Sequence, residues 1–543
     1  MKKIRKTWIS FIIVAVIILT CFSGCSRKKE AVSNGIVSGI SYDSSNSKPQ
    51  NAGSAEGANS ILSAHYFAEE ELDIGEIQQE DFNTEEYSAI RENTFKSVKD
   101  YPLSTFSVDV DTASYSNIRR MIYDSGEVVP DAVRIEEMIN YFKYDYKEPT
   151  DDVPFSINTE LSDCPWNENA KLLLIGLQAK EIDLSERPSS NLVFLLDVSG
   201  SMNSPDKLPL MQMAFVMLTE KLNENDRVSI VVYAGRESVV LEGARGDETM
   251  KIVSAIEDLT AGGSTAGSAG ITKAYELAEK YYIKGGNNRV ILATDGDLNV
   301  GITSESELTR LIEKKRKKGV FLSVLGFGTE NIKDNKMEAL ADNGNGNYAY
   351  IDSILEAKKV LVEEMGRTLF TVAKDVKLQL EFNPAMLKGY RLIGYENRLL
   401  NTEDFEDDTK DAGEIGAGHR VTALYELIPI DSKQDIPGTE LKYQSQALAA
   451  ESKEWLTISI RYKKPDQNKS ELISAIVDGS TYTSDMPRNL TFASSVAAFG
   501  MLLRDSEYSG TASYQMILDM LAHEDYSEDG YKDEFLTLVK RMK

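Results

Sequence analysis

Leu192 to Leu196 read LVFLL, five apolar residues without a polar break, and the run ends on Asp197. A strand written this way has no side that tolerates water. It belongs inside a sheet covered on both faces, which usually means a parallel sheet wrapped by helices. The chain that follows obeys the constraint. From Lys207 to about Gly366 helical and strand patterns alternate: KLPLMQMAFVMLTEKL is helical, DRVSIVVYAG a strand and SVVLEGA a short edge strand. ETMKIVSAIEDL and SAGITKAYELAEKYY are helical, and NRVILATDG is a second fully apolar strand. Helix SESELTRLIEKKRKKG, strand VFLSVLGFG, helix NKMEALADNG, strand NYAYI and helix SILEAKKVLVEEMG complete the set. Alternation of this kind specifies an α/β fold with a doubly wound, mostly parallel sheet.

Such sheets place their sites just past the carboxyl ends of the strands. Asp197 stands there, with Ser199 and Ser201 following at alternate positions. An aspartate and two hydroxyls are hard oxygen donors at low total charge, the chemistry that Mg²⁺ or Mn²⁺ accepts with some water retained. Taken alone, the triplet would serve as well to turn the chain and cap the next helix. Two further stretches tip the balance. The Gly-rich AGGSTAG at 261–267 carries Ser264 and Thr265, and Asp295 ends the strand RVILATD. Each falls where a doubly wound sheet brings it to the edge that Asp197 occupies.

With Asp197, Ser199, Ser201, Thr265 and Asp295 in this order, the chain resembles the von Willebrand factor type A family and its metal-ion-dependent adhesion site. The resemblance implies that the Ser199 and Ser201 hydroxyls bind the metal directly, and that Thr265 does so in at least one state. Asp197 and Asp295 would act directly or through water. One coordination position is then left for an Asp or Glu carboxylate of a protein ligand. Ser264 competes with Thr265 for the hydroxyl role, and Asp297 reads as a solvated loop residue. The stretches SVDVDTASYSNIRRM, RIEEMINYF, CPWN and SSVAAFGMLLRDSEYSG are similar to the flanks of bacterial exported type A lipoproteins, which extends the resemblance over nearly the whole ordered chain.

Residues 1–25 carry Lys2, Lys3, Arg5 and Lys6 ahead of an apolar run from Trp8 to Leu19, the pattern of an export signal. The ending Phe22-Ser23-Gly24-Cys25 resembles a bacterial lipobox, which implies cleavage before Cys25 and a lipid anchor on that cysteine. A plainly cleaved signal and a retained anchor are the alternatives. In each case the folded part lies outside the cytoplasm. Residues 26–100 read as a flexible tether, followed by helices, the second running through AVRIEEMINYFKYDY, then strands over 101–188 and the type A unit over 189–368. A β-rich module over 369–485 and a helical segment over 486–543 complete the chain. The strand-like runs FSINTELSDCPW and AKLLLIGLQAKEI before the central unit match those after it in character. A single sandwich built from both sets, with the type A unit inserted, avoids leaving either with an open edge.

The formal net charge of −26 argues against nucleic acid as a partner, because phosphate binding needs clustered Lys and Arg. The expected activity is therefore divalent-metal-dependent binding of an acidic protein ligand at the cell envelope, without catalysis. A metal-assisted hydrolase or phosphotransferase is the alternative, but the motifs have no histidine near them in sequence and no nucleotide-binding GxxxxGK[ST] loop occurs. A structural envelope protein stapled by its metal is another. Asp109 and Asp111 read as strand-end carboxylates beside a helix cap, and Cys164 as a small buried residue.

Overall fold

The structure is a computed structural model that describes residues 85–543 apart from 109–110, 151–152, 182–186, 235, 263–269, 297–304, 330–332, 365–369, 411, 439–451, 466 and 468. Strands β1 (Lys96–Ser97) and β2 (Leu103–Ser107) open it, followed by helices α1 (Ala113–Asp124) and α2 (Ile135–Asn140) and strands β3 (Phe155–Asp163) and β4 (Lys171–Ala179). The central unit comprises β5 (Ser190–Asp197), α3 (Leu208–Thr219), β6 (Arg227–Ala234), β7 (Arg236–Arg245), α4 (Thr249–Glu257), α5 (Gly270–Lys280), β8 (Asn287–Thr294), α6 (Glu305–Arg316), β9 (Val320–Phe327), α7 (Asp334–Asn343), β10 (Tyr348–Ile351) and α8 (Ile354–Lys358). Then come β11 (Thr371–Phe382), β12 (Leu387–Ile393), β13 (Gly413–Gly416), β14 (Arg420–Pro429), β15 (Glu454–Lys463) and β16 (Glu471–Asp478), and helices α9 (Arg488–Leu503), α10 (Tyr514–Leu521) and α11 (Gly530–Met542).

The central sheet runs β10-β9-β8-β5-β6-β7, parallel throughout except for β7, which lies antiparallel along β6. Its apolar strands feed two cores at once. Leu192, Phe194 and Leu196 face Met211, Phe215 and Ile252 on one side, while Val193 and Leu195 face Ile271, Tyr275 and Met337 on the other. That double burial is why LVFLL has no polar position, and it stabilises by roughly 1.5–3 kcal/mol per large side chain. From β5 the chain winds out to β6 and β7, then returns to β8 on the other side of β5. The carboxyl ends of β5 and β8 therefore flank the point where the winding reverses, the usual crevice of such sheets.

The flanking strands pair across the insertion. One sheet runs β1-β12-β14-β4-β3; the other stacks β11, β15 and β16, with β2 and β13 sharing the free edge of β11. Leu173, Ile175 and Leu177 of β4 meet Leu378, Leu380, Ile458 and Ile460 between the two sheets. The alternate residues Leu172 and Leu174 turn the other way, onto a helical layer formed by α1, α2 and α9 to α11. The apolar faces of the three C-terminal helices are thus used for packing. Among the described residues no helix is long and apolar enough to cross a membrane.

Three expectations are corrected. The tether read over 26–100 ends earlier, because the segment from Glu85 is folded in: Lys96–Ser97 pairs with β12, Val98 is buried, and Glu85 and Glu86 hold Arg120 and Lys333. Its anchors are ion pairs and polar contacts, so its composition resembles that of a solvated linker. Asp111 does not cap α1. It is buried, accepts the Tyr348 N–H at 2.9 Å and pairs with Arg398 at 3.2 Å; Asp109 lies outside the described residues. The helix read through AVRIEEMINYFKYDY stops at Asn140, because Phe142, Tyr144 and Tyr146 are buried at a spacing of two. Tyr144 and Tyr146 stack at 5.5 Å, and Gly176 of β4 makes room for the Tyr146 ring.

Candidate metal centre

Asp197 closes β5 with no solvent exposure, and its Oδ1 accepts the Ser199 backbone N–H at 2.9 Å. That bond folds the chain back over the strand tip and places the Ser199 and Ser201 hydroxyls 2.9 Å apart, Ser199 buried and Ser201 exposed. Neither serine side chain caps the short turn it opens or the helix that follows, so the capping explanation fails. The other carboxylate oxygen of Asp197 accepts from Thr294 Oγ1 at 3.3 Å, at the end of β8. Asp295, one residue on, is also fully buried. Its Oδ2 takes the Lys207 ammonium at 3.0 Å, while its Oδ1 is sealed from water with no hydrogen-bond partner among the described residues.

Thr265, Ser264 and Asp297 lie outside the described residues, as does Cys25. Gly262, within the Gly-rich stretch, and Gly270, just after it, do meet the strands that carry the site. Gly262 donates its N–H to the Val198 carbonyl at 2.9 Å, and Gly270 packs against Tyr233 and Leu195.

Burial pushes the Asp197 carboxyl up to about 6; Asp295 raises it further, and the Ser199 N–H opposes the shift. Of the two buried carboxylates only Asp295 meets an ammonium, which leaves a net negative site edged by hydroxyls. An ordinary solvated anion would not be built like this, because unpaired buried charge is costly. A hard divalent cation answers both the excess charge and the orphaned Asp295 oxygen, and the donors present, carboxylate and hydroxyl, are those it prefers. Among the described residues no three His, Cys, Asp or Glu gather into a cluster, so serine oxygens would have to complete any shell.

Lys207 was not visible as a site residue in the sequence, where a lysine opening a helix reads as solvated. It is 8% exposed, and its side chain runs across Gly328, a left-handed glycine (φ +77°) just past β9 whose Cβ would collide with it. Thr294 and Tyr233 were missed likewise. The Tyr233 hydroxyl is buried beside Asp197 and Thr294, and burial together with the Asp197 charge pushes its ionisation well up.

Residues 191–363 match the von Willebrand factor type A domain, 81–174 match a second von Willebrand factor family, and 367–543 match the C-terminal family of uncharacterized protein YfbK. Uncharacterized protein YfbK of Escherichia coli (strain K12) is 43% identical over 469 residues, covering 84% of this chain and 81% of that one. The chain belongs to the YfbK family of von Willebrand factor type A proteins. Beyond YfbK, the chain is similar to uncharacterized protein sll0103 of Synechocystis sp. (strain ATCC 27184 / PCC 6803 / Kazusa). That protein is 28% identical over 239 residues, 43% of this chain and 55% of its own length. A solved von Willebrand factor type A structure from Catenulispora acidiphila aligns over 74% of this chain and 91% of its own, at 16% identity and a TM-score of 0.40. Type A domains commonly mediate metal-dependent protein interactions.

Proposed function

We propose that the chain binds a protein ligand through a divalent cation, Mg²⁺ or Mn²⁺, held by Asp197, Ser199, Ser201 and Asp295, with Thr265 contributing from the Gly-rich stretch. The observation that carries this reading is the pair of fully buried carboxylates with one oxygen of Asp295 unsatisfied, next to two neighbouring hydroxyls, one buried and one at the surface. When bound, the cation would supply a Lewis-acidic position for a ligand carboxylate. The protein's own residues then do the rest. Asp197 and Asp295 provide charge from below, Ser199 is fixed by its bond to Asp197, and Ser201 stands at the rim where a ligand arrives. Lys207 neutralises part of the aspartate pair, which keeps the loaded site positive enough to favour an acidic partner.

The site works by binding rather than catalysis. Among the described residues no thiol or imidazole stands over the serines: Cys164 lies in the helical core near Glu426, its thiol pushed up by burial, and His419 lines a cavity at the other end of the sheet. Display on the outer face of a bacterial membrane through lipid on Cys25 completes the reading.

Calorimetry tests it first. Mg²⁺ binds the wild type, and Asp197→Ala abolishes binding while the circular dichroism spectrum is unchanged; an unaltered metal affinity would rule out the assignment. A pull-down from envelope extract, with and without chelator, then separates ligand binding from a stapling role. If chelation only lowers the melting temperature and releases no protein, the metal is structural.

A further inference from the structure

At the opposite end of the central sheet lies a cavity of about 230 Å³ between the type A unit and the sandwich. Its walls include Arg289, Arg316, Asn345, Thr371, Arg398 and Glu414. Arg289 sits near the amino end of β8, whereas Asp295 lies just beyond the carboxyl end, roughly 20 Å away at the rise of an extended strand. The two sites do not share a residue.

The polar groups around this cavity are largely matched to one another, with one exception among the arginines. Arg398 is met by Asp111, Glu338 and Asp342. Glu414 accepts from Thr371 Oγ1 and from Asn345 Nδ2, both at 2.8 Å, and Asn345 Oδ1 accepts from Arg316 at 2.9 Å. Arg289 is the exception. It is 3% exposed, and its Nη1 donates to Ser323 Oγ at 2.6 Å. Nε meets no acceptor, Nη2 makes no hydrogen bond, and no carboxylate comes within ion-pair distance among the described residues. Burial holds this guanidinium down to about 10, against the attraction of the more distant Glu414. A guanidinium has five donors, and one serine oxygen answers one of them. Water in the cavity would satisfy donors but would not cancel the charge, and an apolar side chain at position 289 would pack there without that cost.

We propose that this cavity binds a small oxyanion, a phosphate or carboxylate group, on the Arg289 guanidinium between the type A unit and the sandwich. The anion supplies the charge that Arg289 lacks, and guanidinium suits planar, multidentate recognition of such groups. Asn345 and Thr371, which reach from the type A unit and from β11 to the same Glu414, place the site where occupancy stiffens the contact between the two layers.

The test is thermal melting of the full chain with rising inorganic phosphate, or rising succinate, at ionic strength held constant with sodium chloride. The expected result is a saturable upward shift with at least one of the two anions, retained in Asp197→Ala and weakened at least tenfold in Arg289→Gln. In chloride alone Arg289→Gln melts no lower than the wild type, because it removes an uncompensated charge; a purely structural arginine would give the opposite. Which anion saturates identifies the group. No saturable shift with either anion, or an equal shift in Arg289→Gln, overturns the proposal. So does failure of both Arg289→Gln and Arg289→Met to fold, since that makes the guanidinium a structural member.

Discussion

Lys207 holds two opposing roles in one contact. It is the counter-charge to a buried aspartate, and beside the proposed cation it would be a like charge nearby. Lys207→Met separates them. Without metal, the variant leaves Asp295 buried and unpaired, a loss of about 3–5 kcal/mol. With saturating Mg²⁺ most of that loss returns, so the metal-induced rise in melting temperature should be several degrees larger than in the wild type. An identical rise in both proteins, measured by calorimetric scans with Mg²⁺ and with chelator, would show that the ammonium and the cation do not compete. Asp197, Ser199, Ser201 and Asp295 were legible in the sequence because each stands where an apolar strand runs out, and the end of a strand can be read locally. Lys207 and Arg289 were not. Both are charged residues whose burial depends on partners far along the chain: Lys207 crosses Gly328, and Arg289 is enclosed by the sandwich around Thr371 and Glu414.

Among the elements, α1 and the helical segment after β10 are joined by one arginine. Arg119 of α1 pairs with Asp352, with Glu356 at 2.8 Å, and with Glu534 of α11 at 2.9 Å, and Tyr141 donates its hydroxyl to Glu356 at 2.7 Å. A single buried guanidinium thus ties the N-terminal helix, the end of the type A unit and the last helix. Arg119→Met removes the shared cation and strands two buried carboxylates, an expected loss of at least 3–5 kcal/mol in urea unfolding. A loss under 1 kcal/mol would mean that apolar packing around Tyr115 and Tyr141 carries the junction instead. The helices and strands themselves were readable from their periodicity, and the doubly wound order followed. This junction was not, because a charged residue in an amphipathic helix such as SYSNIRRMIYD reads as part of its solvated face.

Across the whole molecule, the interface beside α2 concentrates acid. Glu137 is fully enclosed and pushed up to about 8 by burial and by Glu338, Asp334 and Glu136, against the pull of Arg134; Asp334 is raised to about 6 in the same way. A carboxyl held above its unfolded value contributes stability that is complete below about pH 4 and disappears as the pH climbs through the folded value. The chain should therefore become less stable between about pH 5 and 8.5, by a few kcal/mol. Glu137→Gln keeps an oxygen for the Ser114 N–H, which Glu137 accepts at 2.8 Å, and should flatten this dependence and raise stability at pH 8. Denaturation at several pH values checks it; a slope unchanged by the substitution would place the titration elsewhere.

The insertion of the type A unit into the sandwich also dictates an order of events during synthesis. Leu174 of β4 pairs with Leu424 of β14, about 250 residues later, whereas β3 and β4 are neighbours in the chain. At about 5–20 residues per second, the β4 edge waits on the order of tens of seconds for its second partner. During that interval the whole type A unit emerges and can close its own two cores. A finished type A unit therefore hangs from a half-built sheet, and the most vulnerable species in the life of this protein is the one in which β4 still lies open.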